Sequence, residues 1–220
     1  KQTALRTLRI LRLLEVTDSP ATMGGKIAGA VAALAAVRVL ESKLDPKPGL
    51  YRLGDPLRFA EIAAPDELSG KPALLFLHGT ASNLSGSFGE LMSSADWAPL
   101  LAQYDGRVFG WQHFTLSQSP IENALELVTK LPAGARLHLV SHSRGGIVGE
   151  LLCLGSLGTE DFETFERVAK REGSWNAERQ EQLRSLRKLG SELTKRQLHI
   201  ERFVRVACPA RGTLLASKRL

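Results

Sequence analysis

Ser143 is the residue whose type and setting best suit chemistry. It stands in RLHLVSHSRGGIVGE, residues 136–150, at the end of a short apolar run and ahead of Gly145, Gly146 and apolar residues at helical spacing. Strand, tight turn, helix is the context in which a G-x-S-x-G nucleophile elbow lifts a serine hydroxyl above a sheet edge. Small residues two before and two after the serine let strand and helix pack closely beneath it. Those positions hold Ser141 and Gly145, with His142 and Arg144 between, so the motif reads S-H-S-R-G, serine replacing the first glycine. A plainer reading of the same residues is that Ser141 or Ser143 caps the following helix.

A second element adds to the first. KPALLFLHGT, residues 71–80, reads as a buried strand ending in His78-Gly79. Gly79 lets the backbone approach a substrate carbonyl, with the N–H of Thr80 or Ala81 aimed at it. Arg144 would supply a second N–H from the positive end of its helix. Together they predict an oxyanion hole beside a serine nucleophile, and hence acyl transfer.

On these two motifs, in this order and each at a strand end, the chain resembles the α/β-hydrolase superfamily on its lipase and esterase branch, from about Leu50 onward. A third match is FVRVACPARGTLLA, residues 203–216, similar to the sixth strand and following loop of bacterial lipases. Ala210 stands where those enzymes often carry His, and Thr213 where they carry Ser. The resemblance implies an α/β fold with a mostly parallel, doubly wound sheet. It further implies hydrolysis of a lipid or small carboxylic ester through an acyl-enzyme on Ser143. The order Ser, then Asp or Glu, then His leaves only His199 after Ser143, too early to be the base. The acid and His are therefore expected beyond Leu220, with the domain truncated there. His78 and His142 belong to the two motifs, and His113 and His138 read as structural.

Composition bounds these expectations. An apolar fraction of 43% and a charged fraction of 24% over 220 residues describe one substantial globular domain with an appendage. Cys153 and Cys208 lie in apolar runs and read as buried thiols of a reducing, cytoplasmic compartment. No C-x-x-C, H-E-x-x-H or G-x-x-x-x-G-K-[ST] pattern occurs, so neither metal nor cofactor is expected. The net charge of +6 is concentrated in Lys1, Arg6, Arg9 and Arg12 at one end and Arg205, Arg211, Lys218 and Arg219 at the other. A balanced middle argues against a basic groove across the fold, and no nucleic-acid partner is expected.

The elements that must position the two motifs follow the alternation of strands and helices. Residues 1–45 read as a helical N-terminal extension or the end of a preceding domain. Its leucine–arginine period of three suits a helix or a strand, and its apolar run Ile27–Val37 is too short to span a bilayer. Asp45-Pro46-Lys47-Pro48-Gly49 is a stiff linker, setting the boundary of a domain over 50–220. One or two early strands are expected between Leu50 and Ala63. Residues 80–89 read as a small, polar, mobile loop bordering the site. A helix is expected from Trp97 to Tyr104, a strand over 107–114, and a helix from Ser119-Pro120 to Lys130. Residues 159–199 form a helical insertion that reads either as a cap over the site or as a hairpin for protein contacts. A catalytically silent interaction module within a larger protein is the alternative to the hydrolase, and it would use that insertion or the N-terminal segment.

Overall fold

The computed structural model describes Glu41 and residues 47–54, 59–61 and 68–209. The apolar run Ile27–Val37, most of the 1–45 extension, and residues 210–216 of the third match lie outside the described residues. The chain builds a mixed α/β fold around a six-stranded, mostly parallel sheet in the order β2-β1-β4-β3-β5-β6. The strands are β1 (Gly49–Leu53), β2 (Phe59–Glu61), β3 (Ala73–Leu77), β4 (Val108–Gln112), β5 (Arg136–His142) and β6 (His199–Val206). β4, β3, β5 and β6 run parallel, β1 runs antiparallel to β4, and β2 pairs antiparallel with β1.

Central β3 is ALLFL, buried on both faces, as a parallel strand covered by helices requires. Its alternation divides the core. Leu75 and Leu77 join Phe109, Trp111, Leu137 and Leu139 on one face, against helices α3 (Pro120–Lys130), α4 (Gly145–Leu152) and α6 (Ala177–Arg196). Leu74 and Phe76 join Val108 on the other, against α1 (Leu84–Met92) and α2 (Trp97–Gln103). Helices on both faces make the sheet doubly wound.

Three expectations are corrected here. The stretch expected as a mobile loop, residues 80–89, is a loop only as far as Asn83. The Asn83 side chain accepts from the Gly86 N–H, and Leu84, Phe88 and Met92 at helical spacing bury one face of α1. Cys153 is exposed rather than buried, because it caps the C-terminus of α4 at the surface, and Cys208 is half-buried; neither is in a disulfide. The insertion over 159–199 is helical, as α5 (Thr159–Arg171) and α6, but it is the crossover from β5 to β6. Phe162, Phe165, Leu183, Leu186, Leu189 and Leu193 enter the main core, with α6 packed on α3 and α5 on α6, so the pair is built into the body of the domain rather than set over it as a cap.

The helix from Pro120 starts where expected, on a capping box in which Ser119 accepts from Glu122 N–H and Glu122 accepts from Ser119 N–H. The strand expected over 107–114 is confined to Val108–Gln112. No helix among the described residues is long and apolar enough to cross a membrane.

Candidate active site

From β3 the chain passes to β4 on one side, and from β4 it returns to β5 on the other side of β3. The carboxyl ends of β3 and β5 therefore flank the point where the connections diverge, the place where open α/β sheets form a crevice. The loop after β3 carries His78, Gly79 and Thr80, and the turn after β5 carries Ser143 and Arg144. Both predicted motifs thus meet at one sheet edge.

They meet closely. A Cβ built on Gly79 would lie 2.9 Å from the Ser143 Cβ and 3.3 Å from the His142 carbonyl oxygen. A Cβ on Gly145 would strike the backbone carbonyls of Leu77 and His78, the latter at 2.7 Å. Only glycine fits at either position, which is the close-packing role assigned to small residues in an elbow. Ser141, fully buried, faces Cys208, with Oγ and Sγ 3.3 Å apart.

Ser143 has a φ of +50°, the left-handed region that a serine occupies only at a cost. Its N–H donates to the Val206 carbonyl at 2.9 Å, so the turn is fastened to β6. Behind it, Gly146 N–H bonds the Ser143 carbonyl and Ile147 N–H bonds that of Arg144. The Arg144 N–H precedes the first turn of α4 and is among the donors that a helix start leaves without an intrahelical partner. The Ser143 side chain is half-buried and makes no hydrogen bond to a described residue.

The loop after β3 is equally constrained. Gly79 N–H donates to Ser87 Oγ at 3.2 Å, and Ala81 N–H donates to Thr115 Oγ1 at 2.9 Å. Of the two N–H groups weighed from sequence, Ala81 is thereby committed. Thr80 is exposed and its N–H makes no bond to a described residue. Ala81 itself has a φ of +50°, so this turn, like the elbow, holds an unfavourable backbone conformation. Ser87, a residue with no motif to announce it, also meets His142 Nδ1 at 3.2 Å and so links α1 to both motifs.

The histidines have separate duties. His78 Nε2 accepts from the His113 N–H, so Nδ1 carries the proton and donates to the Gly79 carbonyl at 3.1 Å. That bond fixes the 79–80 peptide, whose N–H points opposite to its carbonyl. The His78 and His113 rings stack at 4.0 Å, fully buried. Burial pushes His78 down to about 4 from its ordinary 6.5, and burial with the His78 and Arg144 neighbours holds His113 well below it too. His138 lies between Tyr104 and Glu201, and His199 opens β6 at the opposite end of the sheet. No histidine bonds Ser143.

The Arg144 side chain turns inward, donating to Asn123 Oδ1 at 2.9 Å and to the Gln118 carbonyl at 2.5 Å. Burial lowers its guanidinium to about 10, against the opposing pull of Glu41 and Glu122, so it stays charged. Among the described residues no group of three or more His, Cys, Asp or Glu could hold a metal ion.

Residues 51–169 match the family model described as a domain of unknown function, DUF7379, over more than half of the chain. The chain belongs to that family. No curated protein and no solved structure matches it.

Proposed function

We propose that this member of the DUF7379 family is a serine hydrolase of the α/β-hydrolase type, acting on carboxylic esters. The observation that carries the reading is Ser143 in a left-handed turn at the switch point, facing a loop whose Thr80 N–H is left uncommitted. In the proposed reaction Ser143 Oγ attacks the ester carbonyl and the Thr80 and Arg144 N–H groups receive the developing oxyanion. The hydroxyl proton passes to a base and on to the leaving alcohol. Water then releases the acid from the acyl-enzyme. None of the five histidines stands where it could be that base, so the reading requires one from outside this arrangement. Cys153 and Cys208, outside any disulfide, fit a reducing, cytoplasmic setting, and a lipid or small ester is the expected substrate class.

The absence of a hydrogen bond from any of the five histidines to Ser143 favours a second reading, a silent interaction module. One experiment separates the two. The complete protein is treated with a fluorophosphonate probe and mapped by mass spectrometry. Labelling at Ser143 that disappears in Ser143→Ala is expected for the hydrolase; a folded protein that takes no label rejects it and leaves the module.

A further inference from the structure

Glu41 is separated from the loop it meets, residues 115–117, by 74 to 76 positions of chain, yet only 2% of it is exposed. Its carboxylate lies against the backbone of the loop that follows β4. Oε1 accepts from the Thr115 N–H at 2.7 Å and the Leu116 N–H at 2.8 Å, and Oε2 from the Ser117 N–H at 3.0 Å and the Ser117 hydroxyl at 2.5 Å. Successive N–H groups converging on one anion form a nest, and each such bond is charge-assisted.

The loop so gripped touches both halves of the candidate site. Thr115 Oγ1 receives the Ala81 N–H, which sets the turn after β3. The Gln118 carbonyl receives Arg144, which sets the elbow, and Gln118 Oε1 accepts from Asn123 Nδ2 at 2.8 Å while Asn123 Oδ1 holds the other Arg144 nitrogen. Four consecutive residues therefore connect one buried carboxylate to the two turns that carry Thr80 and Arg144.

We propose that Glu41 is a positioning residue for both turns, holding the Thr80 and Arg144 N–H groups at their mutual spacing through the 115–118 loop. The mechanical part of this inference stands on the bonds alone. Its effect on catalysis rests on the hydrolase reading.

The test compares wild type with Glu41→Gln and Glu41→Ala in the complete protein, by amide hydrogen exchange and by fluorophosphonate labelling. Loss of the anionic acceptor is expected to speed exchange at 115–117 by about 10- to 100-fold. Faster exchange should extend to 80–82 and 143–147 while β3 keeps its protection, with alanine worse than glutamine. Labelling at Ser143 should slow by about tenfold or more, and with an ester substrate the loss should fall on kcat rather than KM. Wild-type exchange at 80–82 and 143–147, beside a loosened 115–117, would overturn the proposal, as would labelling at the wild-type rate in a labelling-competent protein. If wild type takes no label, the hydrolase reading fails and the exchange pattern still decides the role of Glu41. Ser117→Ala, which removes only the hydroxyl bond, carries the same comparison where the Glu41 variants do not fold.

Discussion

His78 and His113 place two neutral imidazoles beneath the Gly79 turn, and their depressed basicity gives the site a pH limit. Between about pH 6.5 and 4 the unfolded chain binds a proton at residue 78 that the folded chain refuses. Stability from His78 is therefore complete above pH 6.5 and declines as pH falls toward 4, by on the order of 3 kcal/mol across the interval. His113 shifts in the same direction and steepens the decline. Urea unfolding at pH 7 and pH 4.5 checks this, and a flat profile would mean that the rings are solvated. Ser143 and Gly145 were legible as a turn because strand–turn–helix packing asks for small neighbours at fixed offsets, and Gly79 because it ends an apolar strand beside His78. Ser87, Thr115 and Glu41 were not, since each acts through a bond to a distant partner that no local spacing encodes.

At the scale of elements, α4 and β3 come together because Gly145 has no side chain. Its obstacle is backbone, the carbonyls of Leu77 and His78, which cannot rotate aside. Gly145→Ala is expected to force α4 off β3 and to cost about 2–4 kcal/mol. Gly146→Ala meets the Sγ and Cβ of Cys208 instead, so the half-buried segment after β6 must shift rather than the central strand, and it should cost less. Thermal melting of the two variants ranks them; equal melting points would contradict the packing account. The helix from Pro120 was readable from its capping box, because that signal is local and made of particular residue types. α1 was misread because Ser82, Asn83, Ser85, Gly86, Ser87 and Gly89 mask three buried residues that define its inner face. The crossover role of α5 and α6 was hidden for another reason. A charged helical stretch fits a cap, a hairpin or part of the domain body equally well until its leucines find a core.

For the whole molecule, the α/β class followed from alternation, but the strand order did not, because side-chain patterns say which faces are buried and not which edges pair. That order has a temporal consequence. Gly49 pairs with Gln112, Ala73 with Leu137 and Arg136 with His199, so these three of the five joinings close 63 or 64 residues of chain. Pairing across such separations is slow compared with helix formation. The Ser143 N–H reaches Val206 only after the last of these closures. Pulsed hydrogen exchange during refolding should show helical signal recovering first and protection at Ser143 arriving with the slowest phase. Early protection there would mark the turn as a locally folded unit. The crevice is thus a late event on the folding pathway, and the serine takes its left-handed turn only in chains that have finished folding.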